Sequence, residues 1–199
     1  MTAERLIAAC RALAEAGLSP GSSGNASVRE GDRILITPTG TALRRVTVHD
    51  LAILDLDGVH LGGPAPTKEA AMHVAAYRVR ADAGCVVHLH ARAATAVSCL
   101  ALAVHDDPLP AYTPYRLRML RRVALVPYAA PGSDALAAGV EAAASMSHCL
   151  LLANHGSVVC AADPERAVDL CEELEAAAEL TLALHGREAR TLDPATAWA

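Results

Sequence analysis

Short apolar runs separated by helix-forming stretches set the strongest limit on how this chain folds. Val86-Val87-His88-Leu89-His90, Val123 to Val126, Cys149 to Ala153 and Ser157 to Cys160 are too short for helices and are flanked by loop residues, so they read as buried strands. Two further strands, 26–29 and 33–37, join around Gly31-Asp32, and another, 51–56, runs into the Asp57-Gly58 turn. A helix over 3–16 repeats Leu6, Cys10 and Leu13, with Thr2 to cap it and Gly17 to end it. A second starts near Thr67, with Met72, Ala75, Ala76 and Val79 as its apolar stripe. An alanine-rich helix follows His90 to about Ala101, one capped by Ser133 runs to Ala144, and the last spans Asp163 to Leu184. No repeat or linker interrupts the alternation, which predicts one mixed α/β domain over residues 1–199.

Composition narrows the function classes. Hydrophobic residues make up 53% of the chain, but there is no Phe and only one Trp, so the core is aliphatic. The net charge is −5, which argues against nucleic acid as a partner. The one dense basic segment, Arg116 to Arg122, reads either as a subunit contact or site mouth, or as a solvated face. No apolar run approaches the ~18 residues of a membrane span. Glu4, Arg5 and Arg11 interrupt any secretory leader. None of the six Cys forms a C-x-x-C pair, and they read as buried free thiols of a reducing compartment. A soluble, cytoplasmic protein is expected.

Side chains alternate along a strand, so His88 and His90 point the same way and can grip one metal ion without bending the chain. His155, in Asn154-His155-Gly156, follows another apolar strand and offers a third ligand. Three His with an open position is a catalytic zinc pattern, and no Cys lies beside them in sequence. His49, His60, His105 and His185 sit in polar contexts and read as solvated. His148 has no evident partner. His73, one turn after Glu69, either supports the site or packs. Lys68 and Glu69 are expected in the first turn of their helix, where free N–H groups favour an anion. The single Lys and both Asn, Asn25 and Asn154, fall inside these motifs.

Taken together, Ser-Ser-Gly-Asn-Ala-Ser-Val-Arg (22–29), Ile-Thr-Pro-Thr-Gly (36–40), Pro-Thr-Lys-Glu through His73, Val-Val-His-Leu-His-Ala (86–91) and Asn-His-Gly (154–156) resemble the class II aldolase/adducin-head family of zinc-dependent sugar-phosphate aldolases and epimerases. The segments occur in the family's order and cover nearly the whole chain. The resemblance implies an α/β/α fold with a central, mainly antiparallel sheet, in a homotetramer whose sites lie at subunit contacts. It assigns one Zn²⁺ per subunit to His88, His90 and His155, and the acid/base role to Glu69. The phosphate of a small sugar or sugar-acid substrate is implied to lie among Gly24, Asn25, Thr39, Gly40, Thr67 and Lys68. Tyr115 is a candidate proton donor or neighbour-subunit contact.

Lys68 departs from the double-Ser pattern of fuculose-phosphate aldolases. With His-Leu-His, Thr95 to Leu100 and Tyr112-Thr113-Pro114-Tyr115, it is similar to the 3-oxo-tetronate 4-phosphate decarboxylase branch. That branch implies loss of CO₂ from a β-keto acid through a metal-stabilised enediolate, with Glu69 protonating the carbon to give dihydroxyacetone phosphate. The alternatives are a fuculose-type aldolase, a pentulose-phosphate 4-epimerase, and a non-catalytic adducin-like scaffold. The scaffold predicts degraded ligands, and the epimerase branch favours Asp where Glu69 stands.

Overall fold

The structure, a computed structural model, describes residues 2–101, 107–193 and 195. His105, expected to be solvated, lies outside them. In chain order the elements are α1 (Thr2–Glu15), β1 (Asn25–Glu30), β2 (Arg33–Ile36), β3 (Ala52–Asp55), β4 (His60–Gly62), α2 (Ala70–Val79), β5 (Cys85–Leu89), α3 (Arg92–Ser98), α4 (Pro114–Leu120), β6 (Val123–Val126), α5 (Asp134–Ala144), β7 (Cys149–Leu152), β8 (Gly156–Ala161) and α6 (Pro164–Leu184). The strands form one sheet in the order β4-β3-β2-β1-β5-β8-β7-β6. Every neighbouring pair is antiparallel except β6–β7.

Both faces of the sheet are covered, which is why its central strands read as near-continuous apolar runs. Leu6 and Leu13 of α1, Val97 of α3, and Leu170 and Leu174 of α6 pack with Val87 and Leu89 on one face. Met72 and Val74 of α2 and Leu136 and Val140 of α5 pack with Val86 and Val158 on the other. The result is a three-layer α/β/α domain with an aliphatic core.

Local chemistry sets the helix ends. Gly17, at φ +78°, closes α1, and the Leu18 N–H reaches back to the Leu13 carbonyl at 3.0 Å. Ser133 accepts from the Leu136 N–H at α5, and Asp163 from the Arg166 N–H at α6. Two elements escape the sequence reading. The 60–62 strand has no apolar alternation. It forms because the Asp55 carboxylate accepts from the N–H groups of Asp57 (3.0 Å) and Val59 (2.8 Å) and turns the chain back on β3. The helix α4 is held by its Thr113 cap and by an inward charge. Arg116 is buried, pairs with Asp107 and donates to the Arg121 carbonyl at 2.7 Å. The reading of 116–122 as a solvated face therefore fails at Arg116, because Asp107 and a backbone carbonyl compensate its charge inside the fold.

All six cysteines are free; five are buried and Cys99 is exposed. His49, His60 and His185 are exposed, as expected. His148 is half-buried and finds a partner in the Met119 carbonyl at 3.0 Å. Among the described residues, no helix is long and apolar enough to cross a membrane.

The start of α3, immediately after His90, is fixed by a buried carboxylate. Glu175 of α6 accepts from the N–H groups of Ala93 (2.7 Å) and Ala94 (2.8 Å). Glu175→Ala strands both donors in the interior, and chemical denaturation should show a loss of about 1–3 kcal/mol. Glu175→Gln, which keeps one acceptor oxygen, should lose less. Equal stability of Glu175→Ala and the parent protein would contradict this role.

Candidate metal centre

Strand β5 ends in the site. The Cα register pairs His88 with Asn25 of β1 on one side and with Val158 of β8 on the other. His88 is fully buried, and its Nδ1 stands 2.9 Å from the Ser157 carbonyl. A carbonyl only accepts, so Nδ1 carries the proton and Nε2 presents a lone pair, the arrangement usual for a metal-ligating imidazole. His90, just past the strand end, brings its Nε2 to 2.9 Å from that of His88. His155 arrives from the β7–β8 turn. Asn154 there adopts φ +55° and donates its N–H to the Ser98 carbonyl at 3.1 Å, which points the next side chain back over β5. Gly156 is required for this approach, because a Cβ there would lie 2.3 Å from the Leu89 carbonyl oxygen and 3.0 Å from His90 Cδ2.

The three rings form a cluster with centroids 4.8, 4.8 and 5.0 Å apart. Their candidate ligand nitrogens lie within 4.8 Å of one another. Ligands about 2.0–2.1 Å from a tetrahedral zinc stand roughly 3.3 Å apart, so small ring rotations bring this set to a metal. Burial lowers the basicity of all three. The pKa of His88 falls to about 4, the nearby Glu69 opposing the shift, and His90 and His155 shift the same way. All three are therefore neutral near pH 7, the form a metal requires.

Glu69 closes the fourth side. The sequence reading put it in the first turn of a helix beginning near Thr67; α2 instead begins at Ala70, with Glu69 at its N-cap position. Its carboxylate makes no capping bond. It turns into the interior, where Oε2 accepts from Asn25 Nδ2 at 2.9 Å and lies 3.5 Å from His88 Nε2. Oε1 lies 3.4 Å from His155 Nε2 and is buried without a hydrogen bond, as is His155 Nδ1. Three neutral donors beside a buried carboxylate with an unpartnered oxygen fit a divalent cation.

The other expected site residues divide into two groups. Gly24, at φ +84°, lies against β5, where a Cβ would meet the His88 carbonyl oxygen at 2.9 Å. Thr39 Oγ1 accepts the Lys68 N–H at 2.8 Å, and the Thr67 N–H donates to the Thr37 carbonyl at 3.2 Å, so the 37–40 and 66–69 segments form one wall. The Lys68 ammonium is exposed, close enough to lower the basicity of His90 and His155. Gly40, at φ +74°, has open space around its Cα. Asn25 differs from the rest, because its side-chain amide is engaged by Glu69 and His73. Tyr115 is exposed on the first turn of α4, and among the described residues no hydrogen bond ties it to the imidazoles. The sequence reading missed Ser27, which contacts His73, Tyr77, whose hydroxyl contacts Ser27, and Gly132, whose Cα packs against the Lys68 carbonyl. Helical spacing from Glu69 through His73 to Tyr77, facing the strand alternation of Asn25 and Ser27, was the available signal.

A model of the Class II Aldolase and Adducin N-terminal domain family matches residues 4–182. The 3-oxo-tetronate 4-phosphate decarboxylase of Haemophilus influenzae is 39% identical over 190 residues, which span 95% of this chain and 90% of that protein. The L-fuculose phosphate aldolase of Escherichia coli O6:H1 is 36% identical over 182 residues, 90% of this chain and 82% of that protein. The crystal structure of YgbL from Klebsiella pneumoniae matches with a TM-score of 0.92 and 34% identity, over 96% of this chain and 93% of its own.

The buried imidazoles imply a pH-dependent stability. Burial takes His73 down to about 3 and His88 to about 4, against 6.5 in the unfolded chain. The unfolded chain takes up protons that the fold refuses, so their stabilisation is complete above pH 6.5 and is lost as pH falls toward 4 and 3. Thermal melts of metal-free protein should therefore show a lower midpoint at pH 5 than at pH 7. A midpoint unchanged or higher at pH 5 would contradict the buried neutral histidines.

Proposed function

The chain belongs to the Class II Aldolase and Adducin N-terminal domain family, and from that premise we propose that it is a zinc-dependent carbon–carbon lyase that decarboxylates 3-oxo-tetronate 4-phosphate to dihydroxyacetone phosphate and CO₂. The observation that carries the reading is the unpartnered Oε1 of Glu69, aimed at the mouth of a three-imidazole cluster. The similarity to a protein named for this reaction supports the substrate class.

His88, His90 and His155 would hold the metal. Bound there, zinc would act as a Lewis acid on the substrate carbonyl and its neighbouring hydroxyl, making the adjacent carbon–carbon bond easier to break. The chain's own residues do the rest. Lys68, with Thr39, Thr67 and the Gly24 and Gly40 turns, grips the phosphate, a remote handle whose binding energy orients the reacting end. Glu69 holds a proton at Oε1 and delivers it to the carbon that has lost CO₂; solvent restores that proton for the next turnover. Such positioned proton transfer is worth about 10²–10⁴-fold.

The aldolase relative supports a second reading, retro-aldol cleavage of a ketose 1-phosphate by the same site. In either reaction the active assembly is a cytoplasmic homotetramer, in which exposed Tyr115 serves a neighbouring copy's site.

Chelator-treated protein should be inactive and regain activity with zinc. The restored enzyme should release CO₂ and dihydroxyacetone phosphate from 3-oxo-tetronate 4-phosphate faster than it releases aldehyde from L-fuculose 1-phosphate. Faster aldehyde release would favour the aldolase reading. Glu69→Gln should retain zinc but lose at least about 100-fold in kcat, whereas Lys68→Ala should chiefly raise KM, since an ammonium at a phosphate supplies charge. Light scattering should give four times the chain mass; a monomer would contradict the assembly.

A further inference from the structure

Glu69 is tied to a run of buried polar groups that leads away from the metal site. Asn25 Nδ2 donates to Glu69 Oε2 at 2.9 Å, and Asn25 Oδ1 lies 2.5 Å from His73 Nε2. His73 Nδ1 lies 2.8 Å from Ser27 Oγ, which lies 3.0 Å from the Tyr77 hydroxyl. Asn25, Ser27 and Tyr77 are almost fully buried, and His73 fully so. The geometry is built by two periodicities. Glu69, His73 and Tyr77 follow one another at four-residue intervals along the start and face of α2. Asn25 and Ser27 share one face of β1.

Only one assignment of protons satisfies every member when Glu69 is ionised. The carboxylate only accepts, so the Asn25 amide must turn its N–H₂ toward it. That leaves Asn25 Oδ1, an acceptor, facing His73, so Nε2 of His73 must carry a proton. Burial keeps His73 neutral, so Nδ1 has a lone pair and accepts the Ser27 hydroxyl proton. Ser27 Oγ then accepts from Tyr77. Each donor meets one acceptor, and every hydrogen bond of the run points toward Glu69.

Resting on the reading of Glu69 as the proton carrier, we infer that His73 is a positioning residue for the reaction, using its Nε2–H to lock the Asn25 amide so that Asn25 occupies Glu69 Oε2 and leaves Oε1 for the substrate. Without the Nε2–H, the Asn25 amide can flip and present its oxygen to the carboxylate. That repels Glu69, or traps its proton on the oxygen facing Asn25. His73 touches neither metal ligands nor substrate in this role, and its effect belongs on kcat. Asn25 therefore works through its side chain on Glu69, and any contribution to phosphate comes from its backbone.

Two measurements test this. In zinc-loaded protein labelled with ¹⁵N-histidine, the His73 resonances, identified by their loss in His73→Gln, should report a neutral ring protonated on Nε2. A ring protonated on Nδ1 overturns the inference without requiring any variant to fold. In steady-state assays on 3-oxo-tetronate 4-phosphate, His73→Leu should lower kcat about 10- to 100-fold with little change in KM or zinc content. His73→Gln, whose amide N–H₂ can replace the Nε2–H, should recover most of that loss. Equal loss in both variants, or a change confined to KM, overturns the positioning role. Glu69→Gln is run alongside. If it is inactive while His73→Leu is normal, only this inference fails; if Glu69→Gln turns over normally, the reading of Glu69 itself fails.

Discussion

The antiparallel pairing of β5 with β1 on one side and β8 on the other is the interaction on which the rest of the site depends. That pairing fixes His88 opposite Asn25 and gives its Nδ1 the Ser157 carbonyl as a partner. One residue of slip would turn His88 to the opposite face, toward the Leu89 layer, and dissolve the cluster. Two glycines let the three strands close at this point. A Cβ at Gly24 or Gly156 would run into the His88 or Leu89 carbonyl. The same register places Asn25 within reach of Glu69, so the imidazoles and the carboxylate are positioned by one set of backbone bonds.

A cluster of this composition is costly in isolation. Glu69 stands in the interior with one amide donor and an unpartnered oxygen, beside imidazoles that burial holds neutral. Taking a carboxylate out of water costs several kcal/mol unless positive charge or hydrogen bonds offset it. A divalent cation on the three imidazoles would supply that charge, and Lys68 adds to it at the exposed rim. Glu69 also gives up the helix-capping bond its position would allow, and α2 starts without a side-chain cap. A local rule is broken at the site while the neighbouring segments obey theirs, a pattern typical of functional positions.

How much of this was readable from the sequence depends on how local each signal is. His88 and His90 were readable because strand alternation needs only two residues, and their Nε2 atoms do meet. His155 was readable as a polar residue at a strand end before a glycine. The helices with Ser133, Asp163 and Gly17 at their ends obeyed capping chemistry. The 60–62 strand and α4 were not readable, since one depends on an Asp55 turn and the other on burying Arg116 against Asp107. The start of α2 was misplaced because the pull on the Glu69 carboxylate comes from Asn25, 44 positions earlier in the chain. The Ser157 carbonyl that sets the His88 tautomer is a backbone group and leaves no mark on residue identity.

The metal centre is the claim on which the chemistry turns. Crystals of the zinc-loaded protein, measured above and below the zinc absorption edge, would locate the ion directly. One anomalous peak per chain is expected among His88 Nε2, His90 and His155, and it should vanish in His88→Ala. A peak at other residues in fully loaded protein, or one that survives His88→Ala at full height, would contradict the assignment.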